Sequence, residues 1–291
     1  MRWDESHESE DLIDRRGDGP ARSDAGLGTL VYLLPWLLQS RIGRVILVVG
    51  GLFMVGRALL SGPIGQGLHG GATARGGAAE TPEVHFVGFV LDDVQASWQK
   101  KFTETGEPLA YRHAKLVLYT DSTDTGCGYG DAATGPFYCP ADERVYIDLG
   151  FFRELAGKLG ANGQFAQAYV VAHEIGHHVQ KLLGISERVE GLRHTAGATG
   201  ASVRLELQAD CFAGIWARST QQRDLLEDGD VESAIRAAAA VGDDRLQRAA
   251  TGTVSPESWT HGSSEERVRW FENGLTSGSI AACDTFAAKT L

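Results

Sequence analysis

YVVAHEIGHHVQKLL, Tyr169–Leu183, is the stretch on which the reading of this chain turns. His173 and His177 stand four residues apart, so on a helix they share one face and their imidazoles converge on one ion. Glu174 follows the first histidine and points beside that ion, where a carboxylate can take a proton from a bound water. The pattern is H-E-x-x-H, two helical imidazole ligands with a general base next to them. Val170, Val171, Ile175 and Val179 provide an apolar surface for the rest of the helix, and Gly184 is its stop signal. Two surface histidines on an amphipathic helix are the plain alternative. His178 reads as a packing or supporting residue rather than a ligand.

A catalytic zinc needs a third protein ligand and keeps a fourth position open. An extended motif with glycine at 180 and histidine at 183 is ruled out, because those positions are Gln180 and Leu183. The third ligand is expected on a second helix, Ser202–Ala217 (SVRLELQADCFAGIWA). There Glu206 and Asp210 lie one turn apart among Val203, Leu205, Leu207, Phe212 and Trp216. Carboxylates on an apolar helical stripe are costly unless paired or metal-bound. Glu206 is therefore expected to be the third ligand, with Asp210 accepting a hydrogen bond from a ligand histidine and holding its tautomer. Glu187, Glu190 and His194 are competing ligands in a more polar stretch.

Around this centre the chain reads as an α+β domain, zincin-like, mainly helical with a small β-sheet. Val84–Phe102 carries Val87, Val90, Leu91, Val94 and Trp98 at helical spacing. Lys115–Tyr119 (KLVLY) and Arg144–Leu149 (RVYIDL) read as strands flanking the loop Gly126–Pro140, and either edge could take an extended substrate by strand addition. Helical patterns dominate after Asn162. Ser263 and Glu266 form an S-x-x-E capping box. His261, just before that helix, is a candidate to polarise a developing oxyanion, with a loop histidine of no catalytic part as its alternative. Arg267 reads as structural.

The 291 residues carry a net charge of −11, with 43% hydrophobic and 22% charged residues. That composition excludes wholesale disorder and gives no basic footprint for nucleic acid. Residues 1–24 hold eight acids, and no further acid occurs before Glu80. Within that window, 42–60 is expected to be one N-terminal transmembrane helix, near the lower length limit for a span. The expected division is an acidic cytoplasmic tail with an interfacial segment over 1–41, the anchor over 42–60, a Gly-rich linker over 61–81 and the catalytic domain over 82–291. Arg22, Arg41 and Arg44 favour a cytoplasmic N-terminus, which makes the catalytic domain periplasmic or otherwise extracytoplasmic. The membrane lipid is thus an expected partner, through the anchor. Four cysteines fit export. The expected pairs are Cys127–Cys139 and Cys211–Cys283, one of three connectivities, beside reduced thiols or a metal site.

These segments together resemble the bacterial neutral zinc metallopeptidase family of membrane-anchored type. The likeness is carried by MRWDESHESEDLIDRRG (1–17), GCGYGDAATGPFYCPADERVYIDL (126–149), AYVVAHEIGHHVQKLLGI (168–185), SVRLELQADCFAGIWA (202–217) and HGSSEERVRWFENGL (261–275). The resemblance implies a zinc-dependent peptidase with a single N-terminal anchor, an extracytoplasmic catalytic domain, His173 and His177 as ligands and Glu174 as catalytic residue. A weaker likeness links E-x-x-x-D and THGSSEER (260–267) to membrane-associated gluzincins, in which the glutamate is the third ligand; this supports Glu206. The expected function is a membrane-anchored zinc metalloendopeptidase with one Zn2+ per chain. It hydrolyses peptide bonds of a protein or peptide substrate by a zinc-activated water, with Glu174 as general base. A catalytically silent zinc-binding membrane scaffold and a zinc hydrolase of a non-peptide amide are the alternatives.

Overall fold

The computed structural model describes residues 1–18, 81–106, 110–189, 191 and 197–291. In chain order the strands are β1 (Leu12–Asp14), β2 (Lys115–Tyr119), β3 (Ser122–Thr125), β4 (Gly128–Asp131), β5 (Phe137–Cys139) and β6 (Arg144–Asp148). The helices are α1 (Thr81–Thr105), α2 (Gly150–Gly157), α3 (Gln164–Leu182), α4 (Ile185–Val189), α5 (Ala201–Gln222), α6 (Asp230–Ala240), α7 (Asp243–Thr251) and α8 (Ser264–Ser277). The chain is therefore mainly helical with a small mixed sheet, of the expected α+β class.

The sheet runs β1-β2-β6-β5, with β1, β2 and β6 parallel and β5 antiparallel to β6. Side chains alternate across a strand. Leu116 and Leu118 accordingly enter the main core, while Val117 and Tyr119 join a smaller cluster with Cys139 and Tyr146. Both faces of β2 are covered, which is why KLVLY is almost continuously apolar. The interior places of β2 and β6 also correct an expectation. Neither has a free edge for substrate; among the described strands of this sheet the edges are β1 and β5.

Helix α1 buries Val87, Val90, Leu91, Val94 and Trp98, and Trp98 meets Phe212 of α5 edge-on at 5.2 Å. Helix α3 packs on α5 and α6, and α8 packs on α5. The α5–α8 crossing is as close as backbones permit. A Cβ at Gly274 would stand 1.8 Å from the Cys211 carbonyl oxygen, and one at Gly214 would stand 2.1 Å from that of Phe271. The Cys211–Cys283 disulfide ties the same side of α5 to the C-terminal segment. Cys127–Cys139 ties the β3–β4 turn to the end of β5. Both pairings are the expected ones.

Residues 1–18 are not a separate tail. They belong to the same compact unit as residues 81–291. Strand β1 pairs in parallel with β2, from Leu12 opposite Leu116 to Asp14 opposite Leu118. The Met1 amine sits 2.9 Å from Asp230 Oδ2. Trp3 packs against Phe86 at 5.2 Å, and His7 and Ser9 both bond Asp92 of α1. Asp11 accepts from Gln95, His113 and Lys115. Asp11, one of the acids that read as a solvated tail, is thus matched by partners 84 to 104 residues away.

This pairing corrects the expected topology. A sheet cannot be shared across a bilayer, so residues 1–18 and 81–291 stand on the same side of any membrane the chain meets. The expected tail is thus, over residues 1–18, part of the folded body that carries β2. The expected anchor 42–60 and the linker residues 61–80 lie outside the described residues; Thr81, assigned to the linker, opens α1. Among the described residues no helix is long and apolar enough to cross a membrane.

Two outcomes test this packing. In intact cells, Glu5→Cys and Asp228→Cys in the full chain should react alike with a membrane-impermeant maleimide, both labelled or both protected; labelling of one alone would refute the shared side. Gly274→Ala should lower stability by about 1–3 kcal/mol or more, as overpacking does, read as a lower urea midpoint. Gly157→Ala, with nothing within 4 Å of the added methyl, is the control.

Candidate metal centre and cleft

Helix α3 and helix α5 cross with Gly176 at their contact, where a Cβ would come within 3.0 Å of the Ala209 carbonyl. That approach brings the histidines of α3 to the carboxylates of α5. His173, His177 and Glu206 offer ligand atoms that all lie within 4.8 Å of one another, the only such group among the described residues. His173 Nε2 is 3.2 Å from Glu206 Oε2, and His177 Nε2 is 3.5 Å from Glu206 Oε1. Both imidazoles therefore turn the same nitrogen toward the same carboxylate. Two imidazoles and a carboxylate suit zinc and leave a fourth position for solvent or substrate.

The other ring nitrogens are held from behind. His173 Nδ1 lies 2.8 Å from Asp210 Oδ1, the contact by which Asp210 is expected to orient a ligand histidine. His177 Nδ1 lies 2.9 Å from Gln180 Oε1, and the Gln180 amide donates in turn to the Leu205 carbonyl. With Nδ1 carrying the proton in each ring, Nε2 is left as the donor atom for a cation. Asp210 has no exposed surface. Its carboxylate also accepts from the Tyr169 hydroxyl and, at both oxygens, from Arg267 of α8.

The electrostatics follow from burial and partners. Burial opposes charge on Asp210, but Arg267 and His173 outweigh it and hold the carboxyl below its ordinary range. Burial likewise opposes charge on Glu206, and His177 and His173 pull it far down. Burial disfavours the imidazolium of His173, yet Asp210 beside it pushes the pKa up to about 10. Glu174 moves the other way, because burial dominates and raises its pKa. A buried carboxyl whose proton affinity is raised is suited to accepting and returning a proton.

The cleft over these residues has a volume of about 470 Å³. Glu174 and His261 line it beside the three candidate ligands. Its walls include Pro136, Phe137, Phe151, Val170, Leu205 and Leu246. His261 is held by Asp243, which accepts from the backbone N–H groups of Thr260, His261 and Gly262 and meets His261 Nδ1 at 3.2 Å. That bond to Asp243 leads the rise in the His261 pKa, with burial opposing it and Glu206 adding to it. The following helix starts with the expected capping box of Ser263 and Glu266.

His178 is buried and bonds the Arg112 carbonyl and the Tyr138 hydroxyl, tying α3 to β5. It is no part of the ligand cluster, as its reading required. Glu187 is exposed; Glu190 and His194 lie outside the described residues. The supporting roles of Tyr169 and Gln180 were not foreseen. Both were signalled by spacing, since Tyr169, His173, His177 and Gln180 follow one another at four, four and three residues along one stripe of α3. Arg267 gave no such signal, because it reaches the site from a helix 94 residues beyond His173.

The comparisons with known proteins agree with this geometry. A family model described as "Putative neutral zinc metallopeptidase" matches residues 1–286. The chain belongs to that family. The uncharacterized protein YpfJ of Escherichia coli K12 is 44% identical over 291 residues, covering 98% of this chain and 99% of its own. The uncharacterized protein Rv2575 of Mycobacterium tuberculosis H37Rv is 46% identical over 192 residues, covering 62% of this chain and 65% of its own. No solved structure matches. The family description implies zinc, and the donor set of His173, His177 and Glu206 fits it.

One consequence can be measured directly. Glu206→Gln and His177→Ala in the full chain should each retain far less zinc than wild type after dialysis, read by atomic absorption. Glu187→Gln, an exposed change, should leave zinc content unaltered.

Proposed function

We propose that this protein is a zinc-dependent metalloendopeptidase holding one zinc per chain on His173, His177 and Glu206. The observation that carries the reading is the placement of Glu174 on the cleft surface, one residue from a candidate ligand and buried to 6% exposure. A purely structural metal site would have no use for a proton acceptor there. Bound at this donor set, zinc supplies Lewis-acid polarisation of a carbonyl and makes water a stronger acid. The remaining work falls to side chains of the chain itself.

Glu174 takes the proton of the attacking water and returns it to the leaving amine. His261, steadied at Nδ1 by Asp243, turns its other nitrogen to the oxyanion as a hydrogen-bond donor. The edge strand β5 is the proposed rail for an extended peptide. It is the free edge that borders the cleft, through Phe137 and Tyr138, and it takes the place of the interior strands first considered. The apolar lining favours neutral side chains near the scissile bond.

The two disulfides support an oxidising compartment for the folded body, residues 1–18 included. Lipid contact through the apolar stretches 26–38 and 42–60 is part of the proposal, on condition that the chain returns to the side it left.

The test uses the full-length protein, because β1 completes the sheet and a chain starting at Pro82 would lack it. Wild type should hold about one zinc and cleave casein. Glu174→Gln should keep zinc and lose at least about a hundredfold in kcat, the scale of general-base catalysis. His261→Gln should keep zinc and lose kcat with little change in KM. Zinc binding without cleavage of casein or a peptide library would favour a silent scaffold, and absence of zinc would reject the reading.

A further inference from the structure

We propose that Arg267 is the positioning residue of the zinc site, setting where His173 presents Nε2 by pinning both oxygens of Asp210. The proposal rests on the metallopeptidase reading for the identity of the cation and on geometry for the rest.

Arg267 Nε donates to Asp210 Oδ2 at 2.8 Å, and Nη2 donates to Oδ1 at 2.9 Å. The fork is bidentate, so it fixes the plane of the carboxylate as well as its distance. Arg267 Nη2 also donates to the Tyr169 hydroxyl at 3.1 Å and lies 3.3 Å from His173 Nδ1. Oδ1 of Asp210 is thereby the meeting point of three donors: a phenol, a guanidinium and the imidazole of the first ligand.

Asp210 is fully buried, so both of its oxygens need donors from the protein. Arg267, only 3% exposed, is the cation that touches it. Without the fork, Oδ2 of Asp210 loses its donor and the carboxylate is free to turn, which removes the acceptor that orients His173.

The scaffold holds Arg267 as tightly as it holds the ligands. Gly214 and Gly274 bring α8 against α5 at backbone contact. Cys211, the neighbour of Asp210, is cross-linked to Cys283, and Asn273 of α8 bonds the Ala282 carbonyl beside that cystine. Lysine at 267 would keep the charge but lose the fork.

The test compares wild type, Arg267→Met and Arg267→Lys as full-length proteins. Zinc affinity is read by competition with a chromogenic chelator, and ligand-field geometry by the visible spectrum after cobalt substitution. Arg267→Met should bind zinc about 10- to 100-fold more weakly, the range for loss of a group supporting a ligand, with an altered cobalt spectrum. Arg267→Lys should fall between the two. At saturating zinc, the KM for a peptide substrate should be unchanged.

Wild-type zinc affinity in a folded Arg267→Met would overturn the proposal. So would unchanged affinity with a raised KM, which would make Arg267 a substrate contact. If Arg267→Met does not fold, Arg267→Lys decides alone, and wild-type affinity and spectrum in that variant reject the positioning role. A wild-type chain that binds no zinc rejects the metallopeptidase reading and this proposal with it, whereas wild-type affinity in the Arg267 variants rejects this proposal alone.

Discussion

Asp210 is a carboxylate with no contact to solvent, and the arrangement of α3, α5 and α8 around it follows from satisfying its two oxygens. An ionised group in that position is tolerated only when its oxygens are hydrogen-bonded and its charge is matched. Tyr169, His173 and Arg267 supply the bonds, and Arg267 supplies the charge. These three come from two helices, α3 and α8, that are far apart in sequence and meet on α5. The order of the site is thus the order of a buried polar network, in which each member is satisfied only when the others are in place. The two glycines at the α5–α8 contact and the cystine beside Asp210 make that meeting geometrically narrow.

A second constraint operates at the opposite end of the chain. The first 18 residues complete the sheet and plug a surface of α1, with the Met1 amine paired to Asp230 at the start of α6. Two pieces of one folded body therefore flank the long apolar interval between them. Any membrane attachment made there has to let both pieces reach each other, and that condition is imposed by strand pairing rather than by hydropathy. On the far side of the sheet, β5 pairs only with β6 among the described residues, and Phe137 and Tyr138 line the cleft. Its terminal Cys139 is locked to Cys127 on the β3–β4 turn, so that this wall of the cleft is cross-linked to its own outer layer.

The contrast between Asp210 and Arg267 shows where sequence reading stops. Glu206 and Asp210 were legible because a carboxylate on an apolar helical stripe is anomalous wherever that helix packs. His173, Glu174 and His177 were legible because four-residue spacing on a helix is a local geometric fact. Arg267 looked ordinary, as an arginine in a charged run after a capping box. Nothing local distinguishes an arginine that faces water from one that faces a buried acid. The same holds for Asp11, whose partners are Gln95 of α1, Lys115 of β2 and His113 in the segment before that strand.

The sequence by itself determined the local periodicities, and with them the long helices, the two central strands and the spacing of His173, His177, Glu206 and Asp210 along their helices. What only the tertiary structure decided was adjacency between elements: β1 beside β2, β5 rather than β2 or β6 at the free edge, and Arg267 beneath Asp210. The physical reason is one of range. Spacing within a helix or strand is set by backbone geometry over a few residues, whereas the pairing of distant elements depends on the summed burial and hydrogen bonding of the whole core, which no short stretch of residues encodes.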